Sequence, residues 1–355
     1  MNRHAIPAST VIACERAAAV VLTVVLFSAC TPLEETVYFA SADFTPPSML
    51  SLEVTGPTTI VARFSEETSA QAAYASAELG EVTTRASGPV VTFETASPGE
   101  VGRAYELEAV VADTSGNTMS FVETVYGFNP DIPEVLINEV TTQGSSTHPD
   151  VVELRLHSAG NLGGLTLYAG APSEHDGRIV FPAVDLPAES YVVAHFKPEG
   201  LAEEINELTD PTASGGLDAS DTGWDFWVDG ASGISGNNGA VSLYAQPGGR
   251  LIDAIVYSNR TSDSDERYRG FGSKSALAMV DRVAADGGWL PAGARGADAV
   301  LLRPEDAVDP EDSTATRSIS RGTDGADTDT AADWHITPTS GYSFGAPNTD
   351  EVYVP

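Results

Sequence analysis

Between residues 49 and 128 apolar and polar residues alternate along the chain. The stretches are MLSLEV (49–54), TIVARF (59–64), PVVTFET (89–95), AYELEAVVAD (104–113) and MSFVETVYGF (119–128). A period of two sends successive side chains to opposite faces, so each stretch predicts a strand with one buried face. Turn-forming residues separate them: Gly56-Pro57, Ser87-Gly88-Pro89, Pro98-Gly99 and Ser115-Gly116-Asn117. Short strands at this spacing predict a β-sandwich over residues 46–129. AYASAELG (73–80) alone reads as a short helix.

From residue 134 the alternation resumes in EVLINEVTTQ (134–143), DVVELRLHS (150–158) and LGGLTLYAG (162–170). GRIVFPAVDLPAESYVVAHF (177–196) predicts two strands around a proline-containing turn. GAVSLYAQPGGRLIDAIVYSN (239–259) predicts a hairpin with Pro247-Gly248-Gly249 at its tip. Two long segments interrupt the pattern, at about 198–236 and 259–314. The second holds a helical stretch, SALAMVDRVAAD (275–286). Loops of this length inside a compact domain are functional or disordered as a rule.

The order of pieces in the first module, with Asp113, Gly116 and Asn117 in a D-x-x-G-N turn, resembles bacterial Ig-like domains. The second module resembles the lamin-tail domain. The matching pieces are Ile137-Asn138-Glu139-Val140, Val152-Glu153-Leu154, Gly164-Leu165-Thr166-Leu167 and Asp253 before an apolar strand. At the end come Ser318-Ile319-Ser320-Arg321, Asp333-Trp334 and Gly345-Ala346-Pro347-Asn348. The expectation is an all-β chain of two Ig-like sandwiches in series, 46–129 and 134–348, the second enlarged by insertions.

The N-terminus changes the picture. Ala17–Ala29 is an apolar run behind Arg3 and Arg16, too short for a membrane-spanning helix of about 20 residues. It fits a secretory signal peptide over 1–29. Phe27-Ser28-Ala29-Cys30 resembles the lipobox of bacterial lipoproteins, with Phe27 where leucine is usual. The resemblance implies that Cys30 becomes the first residue, with diacylglycerol on its sulfur and an acyl chain such as palmitate on its amine. The alternative is an ordinary leader in which Cys30 is incidental. Residues 30–45 then read as a tether, on the order of 20 Å in reach. Cleavage removes the other cysteine, Cys14, so no intrachain disulfide is expected. The resemblance implies a bacterial cell envelope, with a lipid anchor expected at the outer membrane and the protein either periplasmic or surface-exposed.

With 18 Lys+Arg against 51 Asp+Glu and a net charge of −33, the surface repels phosphate backbones, which argues against nucleic acid as a partner. The envelope membrane, held through the anchor, and an envelope protein or glycan are the expected partners.

Catalytic patterns are sparse. No His-x-x-x-His spacing and no phosphate-binding loop is present. His195 closes the strand YVVAH and reads as an ordinary strand-end residue. Trp224, Phe226 and Trp227, inside the first insertion, are either a binding surface or a plug folded onto the sandwich. Asp324, Asp327, Asp329 and Asp333 form the best metal candidate, but their spacing does not match an EF-hand. We expect no cofactor and no bound metal there, with Arg317 and Arg321 as the neutralising groups and Arg321 reaching Asp324; calcium is the alternative. The D-x-x-G-N turn is read as structural first, with calcium as its alternative too. The expected function is non-catalytic binding, adhesion or envelope organisation. The rivals are a carboxylate-dependent hydrolase of envelope glycans and a calcium-dependent binding module.

Overall fold

The computed structural model describes residues 43–291 and 301–355. Cys30 and the leader lie outside the described residues.

The chain is all-β, with its strands gathered round two separate hydrophobic cores. The first core is built by strict alternation. Strands β1 (Met49–Val54), β2 (Thr59–Phe64), β5 (Val90–Thr95) and β4 (Val82–Ser87) form one antiparallel sheet in that order. Strands β3 (Thr68–Ala75), β6 (Ala104–Asp113) and β7 (Thr118–Tyr126) form the other. Every second residue points inward: Ile60, Ala62 and Phe64 from β2, Val91 and Phe93 from β5, and Tyr105, Leu107, Ala109 and Val111 from β6. The helix expected over 73–80 does not form. Residues 73–75 pair with β6 as the end of β3, and only Ala77–Leu79 makes a single 3-10 turn, which buries Leu79.

The second core lies between two larger sheets. One has the order β12 (Glu174–Val180), β11 (Thr166–Ala171), β16 (Asn238–Tyr244) and β17 (Leu251–Ser258). The other has six strands: β15 (Trp224–Trp227), β14 (Tyr191–His195), β9 (Val151–Leu156), β8 (Val135–Thr141), β18 (Ile319–Arg321) and β19 (Trp334–Ile336). A two-stranded ladder, β10 (Gly160–Asn161) with β13 (Asp185–Leu186), sits beside them.

Both insertions are built into this core. The first supplies β15, which pairs parallel to β14 and lengthens the six-stranded sheet. The second supplies helix α1 (Lys274–Ala285), capped where the Ser273 side chain accepts a hydrogen bond from Ala276 N. Met279, Val280 and Val283 lie on one helix face and are buried against the four-stranded sheet side. Among the described residues no helix is long and apolar enough to cross a membrane.

The modules meet directly. The Asn129 side chain donates to Asn161 O and Gly163 O, at 2.7 and 3.0 Å. The Gln246 carboxamide grips the β1 edge, accepting from Val54 N at 3.0 Å and donating to Val54 O at 3.1 Å.

Candidate functional site

The chemistry-bearing side chains concentrate on the outer face of the six-stranded sheet. Cross-strand register places Glu139 opposite Glu153, Glu153 opposite Val193, and Val193 opposite Asp225. His195 lies opposite Trp227 on the same face. Directly opposed residues share a face, so these strands carry a row of titratable groups where a solvated surface would be expected. Glu139, Glu153, Asp225 and His195 are instead completely buried.

Two segments cover the row. From the first insertion, residues 198–223 fold back over β14 and β15. Glu207, itself buried, accepts from Asp225 N at 2.7 Å, and Ser220 N donates to Asp225 Oδ2 at 2.7 Å. His195 Nε2 meets Asp225 Oδ1 at 2.8 Å, and its ring stacks on Trp227 with centroids 4.0 Å apart. His195 Nδ1 has no hydrogen-bond partner. The dyad thus shares its surroundings with aromatic carbon and holds the insertion down.

The C-terminal segment covers the other half. Ser343 donates to Glu139 from its amide, at 3.0 Å, and from its hydroxyl, at 2.8 Å; Ser318 donates to the same carboxylate. Glu153 accepts from Asn138 Nδ2 at 2.6 Å and from Gly345 N. Burial pushes the Glu153 carboxyl well above the usual carboxylate range, and the neighbouring Glu139 pushes it further. Burial also raises Glu139, against the pull of Ser318 and Ser343. The two covering segments touch. A Cβ on Gly345 would lie 2.0 Å from Ser220 Oγ, and one on Gly223 would lie 2.9 Å from Val193 Cγ2. Only glycine lets both backbones lie flat on the sheet.

Trp224, Phe226 and Trp227 are brought together on β15. Phe226 is 0% exposed and packs edge-on against Phe181 in the core. Trp227 is 7% exposed and donates from Nε1 to Ser214 Oγ at 2.8 Å. Trp224 is half-buried against the same core. These aromatics line the sheet edge, and Phe226 and Trp227 are buried there.

The four aspartates of the acidic turn do not converge on a common point. Asp324 accepts from Ala326 N, and Asp333 accepts from Thr328 N and Oγ1. Arg321 does not reach Asp324. It is buried, donating to Ile137 O at 2.9 Å, Asp253 Oδ2 at 2.7 Å, Ala326 O at 2.9 Å and Asp327 Oδ1 at 3.3 Å. It therefore ties β18 to β8 and to β17 of the opposite sheet. Burial raises the Asp253 carboxyl, and the Arg321 guanidinium draws it back down. Arg317 lies over the Tyr353 ring, 4.1 Å from its centroid, away from the turn.

A different carboxylate group does converge. Asp43, Glu66 and Asp113 bring ligand oxygens within 4.8 Å of one another, at the end of the first module that carries the D-x-x-G-N turn. Asp113 is held by Asn117, whose Nδ2 donates to Asp113 Oδ2 at 2.7 Å and to Asp43 O at 3.1 Å. Sequence reading singled out Asp113 but missed Asp43 and Glu66, because the three are 23 and 47 residues apart along the chain.

An open groove of about 450 Å³ lies between the modules. It runs along the unpaired edges of β1 and β7, with Leu50 and Val122 exposed on its rim, and is bounded by Tyr168, Arg178, Gln246 and Arg282 from the second module.

The chain is similar to known proteins over part of its length. An uncharacterized protein of Treponema pallidum (strain Nichols) is 26% identical over 159 residues, which is 45% of this chain. The matched region spans 40% of that protein's length. A family model described as TP_1001_2nd, protein second domain, matches residues 133–336. That match starts beside β8, runs through the six-stranded sheet and ends on β19, covering more than half of the 355 residues; the chain belongs to the TP_1001 second-domain family.

Proposed function

We propose that this protein is an exported lipoprotein with a non-catalytic binding or envelope-organising role. Its second module would be a lamin-tail-like sandwich, and lipidated Cys30 would hold it at the membrane. The observation that carries the reading is the contrast between sealed chemistry and an open groove. His195, Asp225, Glu139 and Glu153 lie buried beneath two covering segments. The groove instead offers two unpaired strand edges and exposed apolar side chains, Leu50 and Val122. Unpaired edges supply backbone donors and acceptors to an added chain. The Gln246 amide already makes both such bonds with Val54.

The test uses photo-crosslinking residues in the full-length protein in cells. Crosslinkers at Leu50 and Val122 should capture the same envelope protein or glycan, and one at exposed Tyr74 should not. Identical products from all three positions would overturn the reading. Labelling with a fatty-acid probe, lost in Cys30→Ser, checks the anchor separately.

The Asp43, Glu66 and Asp113 group favours a second reading, a calcium-dependent binding module. Calcium takes six to eight oxygens, so these three would need backbone carbonyls or water to complete a shell. A ligand at 100 times its dissociation constant adds about 2.7 kcal/mol of stability. This reading therefore expects millimolar calcium to raise the melting temperature over chelator by several degrees, and Asp113→Asn to abolish the rise. Equal melting in calcium and chelator would reject it.

A further inference from the structure

The C-terminal cover differs from the rest of the second module in how it is held. Residues 342–348 contribute no member of the apolar core. Their anchors to the sheet are polar; Ser343 and Gly345 reach two buried acids, and Asn348 donates to Arg321 O at 2.8 Å and Asn138 O at 3.1 Å. Ser343 bonds Glu139 through its amide and hydroxyl, and Gly345 N bonds Glu153. Asn348 bonds Asn138, whose other contact is Glu153.

Glu139 and Glu153 are cross-strand neighbours, both fully buried. The charged groups near them do not neutralise the pair. Arg155 lies nearest in charge to Glu153, but its guanidinium is bonded to Glu189 at 2.6 Å. Tyr191 lies on β14 beside Arg155, opposite it in register. On the insertion side, Asp225 is occupied by His195 and Ser220. From β18 and the tail the hydroxyls and amides of Ser318, Ser343 and Gly345 bond the two acids. His335, on β19 across Ser320 from Glu139, turns to Thr349 O at 3.0 Å, and Tyr342 of the tail lies against His148, which is paired with Asp218 at 2.9 Å. Two adjacent carboxylates without a cation cannot both carry charge in a dry site without a large penalty.

We propose that residues 342–348 are a proton-linked strap, docked on the Glu139–Glu153 pair while the pair holds one proton and released as that proton is lost. The direction follows from linkage. Both carboxyls are raised above their ordinary value in the docked state, by burial first and, for Glu153, also by Glu139, and this outweighs the opposite pull of the strap's own bonds from Ser343 and Gly345. Docking is therefore fully favoured below the ordinary glutamate pKa of about 4.3 and weakens as pH rises through the raised value. Release would uncover the polar row and turn it into an accessible surface. With one linked proton, the docking equilibrium falls about tenfold for each pH unit in that window. Tyr353, paired through its amide with Ile336 O at 2.8 Å, keeps the end of the chain attached, so opening stays local.

The experiment follows amide hydrogen exchange at Ser343 and Gly345 from pH 4 to 9, corrected for intrinsic exchange. Amides of Leu107 and Val111 in the first core serve as the reference. In the full-length wild-type protein the strap protection should drop by tenfold or more while the reference stays level. Glu153→Gln should flatten the drop. Carboxyl carbon shifts of Glu139 and Glu153 in the wild type should show one proton leaving over the same pH range, a measurement that needs no variant. Protection that is level with pH, a drop of the same size in a folded Glu153→Gln protein, or carboxyl shifts that titrate near the ordinary value would each overturn the proposal.

Discussion

The two modules solve the same problem, two sheets around one core, with different materials. Among the described residues the first buries very little charge: its core is aliphatic and aromatic, and Asp113 at a turn is its buried acid. The second buries Glu139, Glu153, Asp225, His195, Glu207, Asp253, Asp333 and Arg321. Hydrophobic contact is non-directional and fixes burial, whereas buried hydrogen bonds and ion pairs work only with particular partners. The first module is a short sandwich with tight turns, and alternation defines it. The second must place two long insertions and a tail, and polar partners on the sheet specify where each one lands.

Removing Arg321 should break that comparison most sharply. It leaves Asp253 buried without its cation, and such changes cost about 3–5 kcal/mol. We expect Arg321→Met to lower the unfolding midpoint of the second module in urea and leave the first transition in place. Adding Asp253→Leu should restore much of the loss, because the unpaired charge goes with it. No recovery in the double variant would mean that the loss comes from the bonds to Ile137 and Ala326.

Trp227→Ala tests whether the first insertion is anchored on the outer face of the six-stranded sheet. Large aromatic truncations in cores cost about 3–5 kcal/mol, with the lower end expected at a sheet edge. The same change should expose residues 198–223 to proteolysis and shift the His195 ring resonances, since the ring loses its stacking partner. A protein of unchanged stability would return the aromatics to the binding-surface reading.

Asn117→Ala probes the polar contribution in the first module. It removes one amide that bridges Asp113 and Asp43, and a net loss of about 1 kcal/mol is expected in denaturant melts. The pH dependence at this turn has the opposite sign to that of the strap. Burial works to raise the Asp113 carboxyl, but the Asn117 side chain and the amides of Asn117, Ser115 and Gly116 hold it below the ordinary value. Its contribution is present above about pH 4 and is lost as pH falls through the lowered value. NMR titration of the Asp113 carboxyl checks the direction.

The smallest effect is expected for Arg103→Ala. It breaks two surface ion pairs, with Glu78 and Glu100, both at 3.1 Å. Exposed pairs contribute about 0–1 kcal/mol, and raised salt should erase the difference. A larger loss would point to its stacking over Tyr105, 5.3 Å from the ring centroid.

Local pattern alone determined much of this protein. Alternation located β1, β2, β5, β6 and β7, and the Pro247-Gly248-Gly249 tip located the β16–β17 hairpin. The period of 3.6 located α1 to within a residue at each end. These features repeat within a few residues, so the information is local. The strand β3 was hidden because AYASAELG is rich in alanine, a good helix former, and pairing with β6 overrode that preference. The strand β15 was hidden because its partner β14 lies about 30 residues earlier, across a glycine-rich segment with no alternation of its own.

The polar row was the part that tertiary structure alone decided. Glu139 and Glu153 occupy the outward positions of their strands, where alternation predicts water. They are dry because the tail, some 200 residues away, lies on them. Arg321 met Asp327 rather than Asp324 within the turn, and its shortest ion pair is with Asp253 for the same reason: sequence distance favours a near acid, and the fold brought the far one to 2.7 Å. Strand period is written in neighbouring residues, but what covers a sheet face is settled by chain closure over long separations, which no local pattern encodes.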